Sequence, residues 1–151
     1  MSVAFRRESD EEHLEPTFEL PIPTGPNLVT PRGTAIIAER IGALEAAIAA
    51  TPDTEAQKPL RRDLRYWQTR RATAIETAPR SDGVAGFGSR VTFTLNGRER
   101  SVTLVGDDEA DPDAALLAFS APLARALIGA EAGEAVPFNG RDDAIEVIAV
   151  A

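Results

Sequence analysis

Apolar positions recur with two different periods along the chain. From Thr30 onward, Ile37, Ile41, Leu44 and Ile48 follow one another at spacings of 4, 3 and 4. After a polar interruption, Leu60, Leu64, Trp67, Arg71 and Ala74 continue at 4, 3, 4 and 3. Such spacing puts one stripe on one face of a helix and is the seam of a coiled coil. Thr30 suits the N-cap of the first helix and Pro31 its first turn, where no N–H is needed. Pro59 suits the first turn of the second. About eight residues of the stretch "ATPDTEAQKPLRR" link the two stripes, so each finds its apolar partner in the other, and residues 30–79 are predicted to form an antiparallel helical hairpin. Each arm would be roughly 25–30 Å long.

Beyond residue 84 the period changes to two. In "SRVTFTLNGRERSVTLVG", Val91, Phe93 and Leu95 share one face, the chain turns at Asn96-Gly97, and Val102 and Leu104 return. Asn-Gly between alternating runs marks a two-residue hairpin, because both turn positions need positive φ. "SAPLARALIG" reads as a short helix, with Ser120 near its N-cap, Pro122 in its first turn and Gly129 closing it. "EAVPF", a second Asn-Gly at 139–140 and "AIEVIAV" supply another strand pair. Residues 84–151 are therefore expected to be a small antiparallel sheet with one short helix, and the fold class is α+β. Pro16, Pro21, Pro23 and Pro26 and an excess of acids make residues 1–29 an expected disordered or extended tail.

Charge sharpens this division. The net charge of −8 splits into −4 over residues 1–29, +2 over 30–83 and −6 over 84–151. A mildly basic middle between acidic ends suggests parts with separate tasks. Lys58, Arg61, Arg62, Arg65, Arg70 and Arg71 concentrate on the second helix, where they could meet RNA or an acidic protein surface or remain a solvated face. Trp67 lies on the seam and Tyr66 off it. No Cys is present, which removes thiolate catalysis, thiolate metal sites and disulfides. His13, the single histidine, stands in the tail, so neither a Ser-His-Asp triad nor a histidine metal site can be assembled. No signal-type h-region or membrane-length apolar run occurs, and a cytoplasmic protein is expected.

Three local patterns invite chemistry. Asp53 and Glu55 place two carboxylates in the hinge. The acidic loop "DDEADPD" departs from a calcium loop, having Pro112 and Ala118 where the sixth and twelfth positions, counted from Asp107, require Gly and Glu. Gly86 and Gly88 in "GFG" lack the remainder of a dinucleotide fingerprint and read as tight backbone positions at a strand start.

"GFGSRVTF", "VGDDEADPDAALLAFSAPLARALIGAEAGEAV" and "AIEVIAV", in that order, resemble the C-terminal domain of the bacterial Gre transcript-cleavage factors, and "TPRG" resembles the opening of that family's coiled coil. The resemblance implies an FKBP-like C-terminal domain behind a helical hairpin, with RNA polymerase as partner and nascent RNA approached only through it. It implies docking at the rim of the secondary channel, and carries the docking role onto Pro122, Leu123 and Arg125. In the family, an Asp-x-x-Glu pair at the hairpin tip helps to hold a second magnesium ion, whose hard oxygen ligands and activation of water suit RNA cleavage. Here Asp53 and Glu55 are two apart, no Glu-Tyr follows, and the arm is shorter. This short-arm form is similar to the regulator of nucleoside diphosphate kinase. The expectation is a monomeric, non-enzymatic elongation regulator without catalytic residues, metal or cofactor. The alternatives are a cleavage factor with a rearranged tip at Asp53 and Glu55 and, less favoured, an FKBP-like prolyl isomerase.

Overall fold

The computed structural model describes residues 19–151; most of the expected tail lies outside them. The described chain forms two compact units, one of residues 19–24 with 37–72, the other of residues 25–36 with 73–151.

The first unit is built on helix α1 (Pro31–Ala49), from residue 37 onward, and helix α2 (Thr54–Thr73), up to residue 72. Ile37, Ile41 and Ile48 of the α1 stripe are buried and Leu44 half-buried, as the 4-3-4 spacing requires. On α2, Leu60, Leu64 and Trp67 are half-buried, but Arg71 is exposed and Ala74 lies beyond the helix end. Arg70 is buried instead, at 2% exposure. Burial is drawn round to the flank of Tyr66, over which the Arg70 guanidinium stands 6.0 Å from the ring centre, and where Leu20 and Ile22 also lie. The expected seam at Arg71 and Ala74 is thus corrected. On the other flank the Arg40 guanidinium stands 5.6 Å from the Trp67 ring.

The second unit holds a five-stranded sheet in the order β5-β4-β3-β7-β6: β3 (Arg90–Leu95), β4 (Arg98–Val105), β5 (Leu116–Ala118), β6 (Ala135–Phe138) and β7 (Arg141–Val150). Both Asn-Gly turns form as expected, with φ of 55° and 77° at Asn96-Gly97 and 52° and 80° at Asn139-Gly140. The alternating face of β3 and β4 supplies Val91, Phe93, Val102 and Leu104 to a core closed by Ile145 and Val147 of β7 and by Ala124 and Leu127. One expectation fails: the sheet is mixed, since β5 runs parallel to β4. The acidic loop causes this. It folds into two 3-10 turns, Asp107–Glu109 and Pro112–Ala114, and so crosses back before β5 instead of reversing in a hairpin.

A second correction concerns the tail boundary at residue 29. Leu28–Val29 is a strand, β1, pairing in parallel with β2 (Ile75–Glu76). Asn27 is buried and its Nδ2 donates to Thr73 Oγ1 at 3.1 Å. Proline density hid a short pairing segment whose partner stands 47 residues later in the register Leu28↔Ile75.

Candidate functional site

Helix α3 (Pro122–Leu127) follows β5. Pro122 occupies its first position and Ala121, in extended backbone, its N-cap, without a side-chain cap. Ser120, expected to cap this helix, donates its hydroxyl to Asp107 Oδ1 instead. Gly129 closes the helix at φ 94° and donates to Ala85 O at 2.8 Å. Ala124 and Leu127 are wholly buried, which turns Pro122 and Arg125 outward. Leu123 is half-buried against the core, so only part of its side chain is presented. The sequence reading overlooked Ile128, 41% exposed at the end of the same stripe. The i, i+3 run of Pro122, Arg125 and Ile128, opposite Ala124 and Leu127, was the signal that could have found it.

At the hairpin tip, α2 begins at Thr54, five residues before Pro59, so the link is four residues long rather than eight and Pro59 sits inside the helix. The cause is local. Asp53 Oδ1 accepts the Glu55 N–H at 3.2 Å and Asp53 O accepts the Gln57 N–H at 3.1 Å, which starts the helix there. Gln57 Nε2 donates to Thr51 O at 2.6 Å and braces the turn. Glu55 pairs with Lys58 at 3.2 Å, one turn along. Both hinge carboxylates thus have helix-forming partners, although both remain exposed. Among the described residues no three His, Cys, Asp or Glu side chains come together as a metal site.

Most of the basic residues on α2 have partners within reach. Arg61 donates twice to Gln57 Oε1, Arg62 pairs with Asp63 at 3.0 Å, and Arg65 pairs with Glu19.

The acidic loop has a role the sequence did not disclose. Glu109 is 3% exposed. Its carboxylate accepts the Thr30 N–H at 3.0 Å, the Thr30 hydroxyl, and the Gly106 N–H at 3.2 Å. Thr30 Oγ1 in turn accepts the Gly33 N–H at 3.1 Å. Thr30 is therefore the expected N-cap of α1, and Glu109 holds that cap. A Cβ at Gly33 would overlap the Glu109 carboxylate, and one at Gly106 would stand 2.5 Å from Leu28 O. Glycine is required at both places by this packing.

Beside β5, a groove of about 280 Å³ is lined by Val102, Pro112, Leu116, Leu117 and Ala121, with Arg100 at its side. Its walls are largely aliphatic.

A helical hairpin in one unit and, in the other, a mixed sheet carrying one short helix with an outward stripe define an α+β protein. Residues 80–151 match the family model described as transcription elongation factor, GreA/GreB, C-term. Transcription elongation factor GreA of Sinorhizobium medicae is 38% identical over 84 residues, 53% of this chain and 53% of that protein. GreA of Rhizobium etli is 37% identical over 86 residues, 54% of each. The matches thus span about half the length of the curated relatives. Among solved structures, GreA factor homolog 1 (Gfh1) of Thermus thermophilus aligns with 84% of this chain and 99% of that chain, at 16% identity and a TM-score of 0.39. GreA/GreB from Nitrosomonas europaea aligns with 85% and 99%, at 18% identity and 0.39. The likeness to the GreA/GreB C-terminal family is thus carried by residues 80–151.

Proposed function

We propose that the chain binds RNA polymerase at the rim of its secondary channel and regulates elongation without stimulating transcript cleavage. The base would dock through the outward stripe of α3, Pro122, Arg125 and the exposed part of Leu123, with Ile128 extending it. The hairpin would enter the channel as a monomeric, non-enzymatic arm, in the cytoplasm, meeting nascent RNA only through the polymerase.

The observation that carries the negative half of this reading is the engagement of the hinge carboxylates. A shared magnesium ion takes oxygens directly, at about 2.1 Å, and a carboxylate that caps a helix gives up that cap to reach it. Asp53 is the N-terminal cap of α2 and Glu55 faces Lys58. Among the described residues no helix is long and apolar enough to cross a membrane.

Backtracked elongation complexes provide the test. Adding the chain is expected to leave the transcript uncut above the polymerase's own background. The Asp53→Ala, Glu55→Ala double variant should be indistinguishable in that assay while losing about 1 kcal/mol of stability through the cap. Stimulated cleavage that disappears in the double variant would establish the alternative, a cleavage factor with a rearranged tip.

A further inference from the structure

The chain entering α1 runs first along α2. Arg65 Nε and Nη2 donate to the two carboxylate oxygens of Glu19, each at 2.8 Å. Such a two-pronged contact fixes direction as well as position. The Arg65 hydrogen bonds hold the Glu19 carboxyl below its ordinary range, and the Arg62 charge adds to the effect. Leu20 and Ile22 continue along the flank, lining a groove of about 480 Å³ with Tyr66, Thr69 and Ala72.

The segment preceding Glu19 complements this surface. Apart from the buried Arg70, helix α2 carries Lys58, Arg61, Arg62, Arg65 and Arg71 against Glu55 and Asp63, whereas residues 1–18 carry Glu8, Asp10, Glu11, Glu12 and Glu15 against Arg6 and Arg7. Glu19 sits at the Arg65 end of this groove and Asn27 reaches Thr73, so the chain ahead of Glu19 starts beside Arg65, Arg62, Arg61 and Lys58. Nine extended residues, 10–18, reach up to about 30 Å, more than the roughly 17 Å of helix from Arg65 back to Thr54. The pairs that Lys58 and Arg62 make with Glu55 and Asp63 are local surface pairs, each of small worth and open to exchange.

We propose that the acidic segment ahead of Glu19, residues 8–18, is an intramolecular ligand of the basic flank of α2, anchored at the Glu19–Arg65 pair. Charge supplies the attraction. While bound, the segment neutralises this flank, and a competing polyanion has to displace it.

The absence of cysteine makes the full chain suited to a single nitroxide label at Ser9→Cys. Amide signals of α2 from Lys58 to Arg65 are expected to lose most of their intensity by paramagnetic broadening at low salt. They should recover in 1 M salt, where screening acts within about 3 Å, and in the Asp10→Lys, Glu11→Lys, Glu12→Lys variant. A synthetic single-stranded RNA should restore the same signals. The variant alters only residues ahead of the anchor, and unchanged circular dichroism would show the fold intact. Full α2 intensity at low salt would overturn the proposal, as would broadening that survives charge reversal or falls mainly on the sheet.

Discussion

Replacing Glu109 by alanine is expected to lower stability by about 3 kcal/mol, the cost of leaving several donors without their charged acceptor in a buried site. For a chain of this size that corresponds to a melting temperature about 6–12 °C lower. The donors are the Thr30 N–H, the Thr30 hydroxyl and the Gly106 N–H. The loss should also be localised. Amide exchange should accelerate at Thr30, Gly33 and Gly106, because Thr30 would lose the acceptor that holds it as N-cap. Glu109→Gln keeps the shape and one acceptor oxygen, and should cost less than half as much. Chemical denaturation of the three proteins, with hydrogen exchange on the alanine variant, measures both effects. A change below 1 kcal/mol, or exchange confined to regions away from Thr30, would remove Glu109 from its place as the fastening of α1.

The second large effect concerns binding. Arg125→Glu combined with Pro122→Ala is expected to weaken association with RNA polymerase about 30-fold, the factor that corresponds to about 2 kcal/mol at a central contact. Both side chains face outward from α3, while Ala124 and Leu127 anchor the helix to the core, so the fold should be undisturbed and the melting temperature nearly unchanged. Leu123→Ala is a poor probe by comparison. Its side chain is part of the packing around the core, and a weakened complex would be mixed with a weakened base.

Local geometry made some features legible in the sequence, and distance concealed others. The Asn-Gly turns were readable because the need for positive φ is met by the turn residues themselves. The alternating face of β3 and β4 and the Thr30 cap were readable for the same reason. Glu109 was not, because its partner Thr30 stands 79 residues away in the chain, and an acidic loop looks alike whether it is solvated or clamps a helix. The start of α2 was displaced by the weight given to Pro59, when the nearer Asp53 had already capped the helix. The parallel pairing of β5 depends on where the crossover lies, which no local pattern encodes. At the candidate docking surface, the resemblance alone pointed to Pro122 and Arg125, both exposed, and Ile128 went unnoticed.

The most direct measurement is equilibrium binding of the labelled full chain to core RNA polymerase, with an unlabelled full-length GreA as competitor. Saturable binding that GreA displaces, and that is weakened by the Pro122 and Arg125 substitutions, is the predicted result. Absence of binding at micromolar concentrations in low salt, or binding indifferent to GreA, would contradict the account.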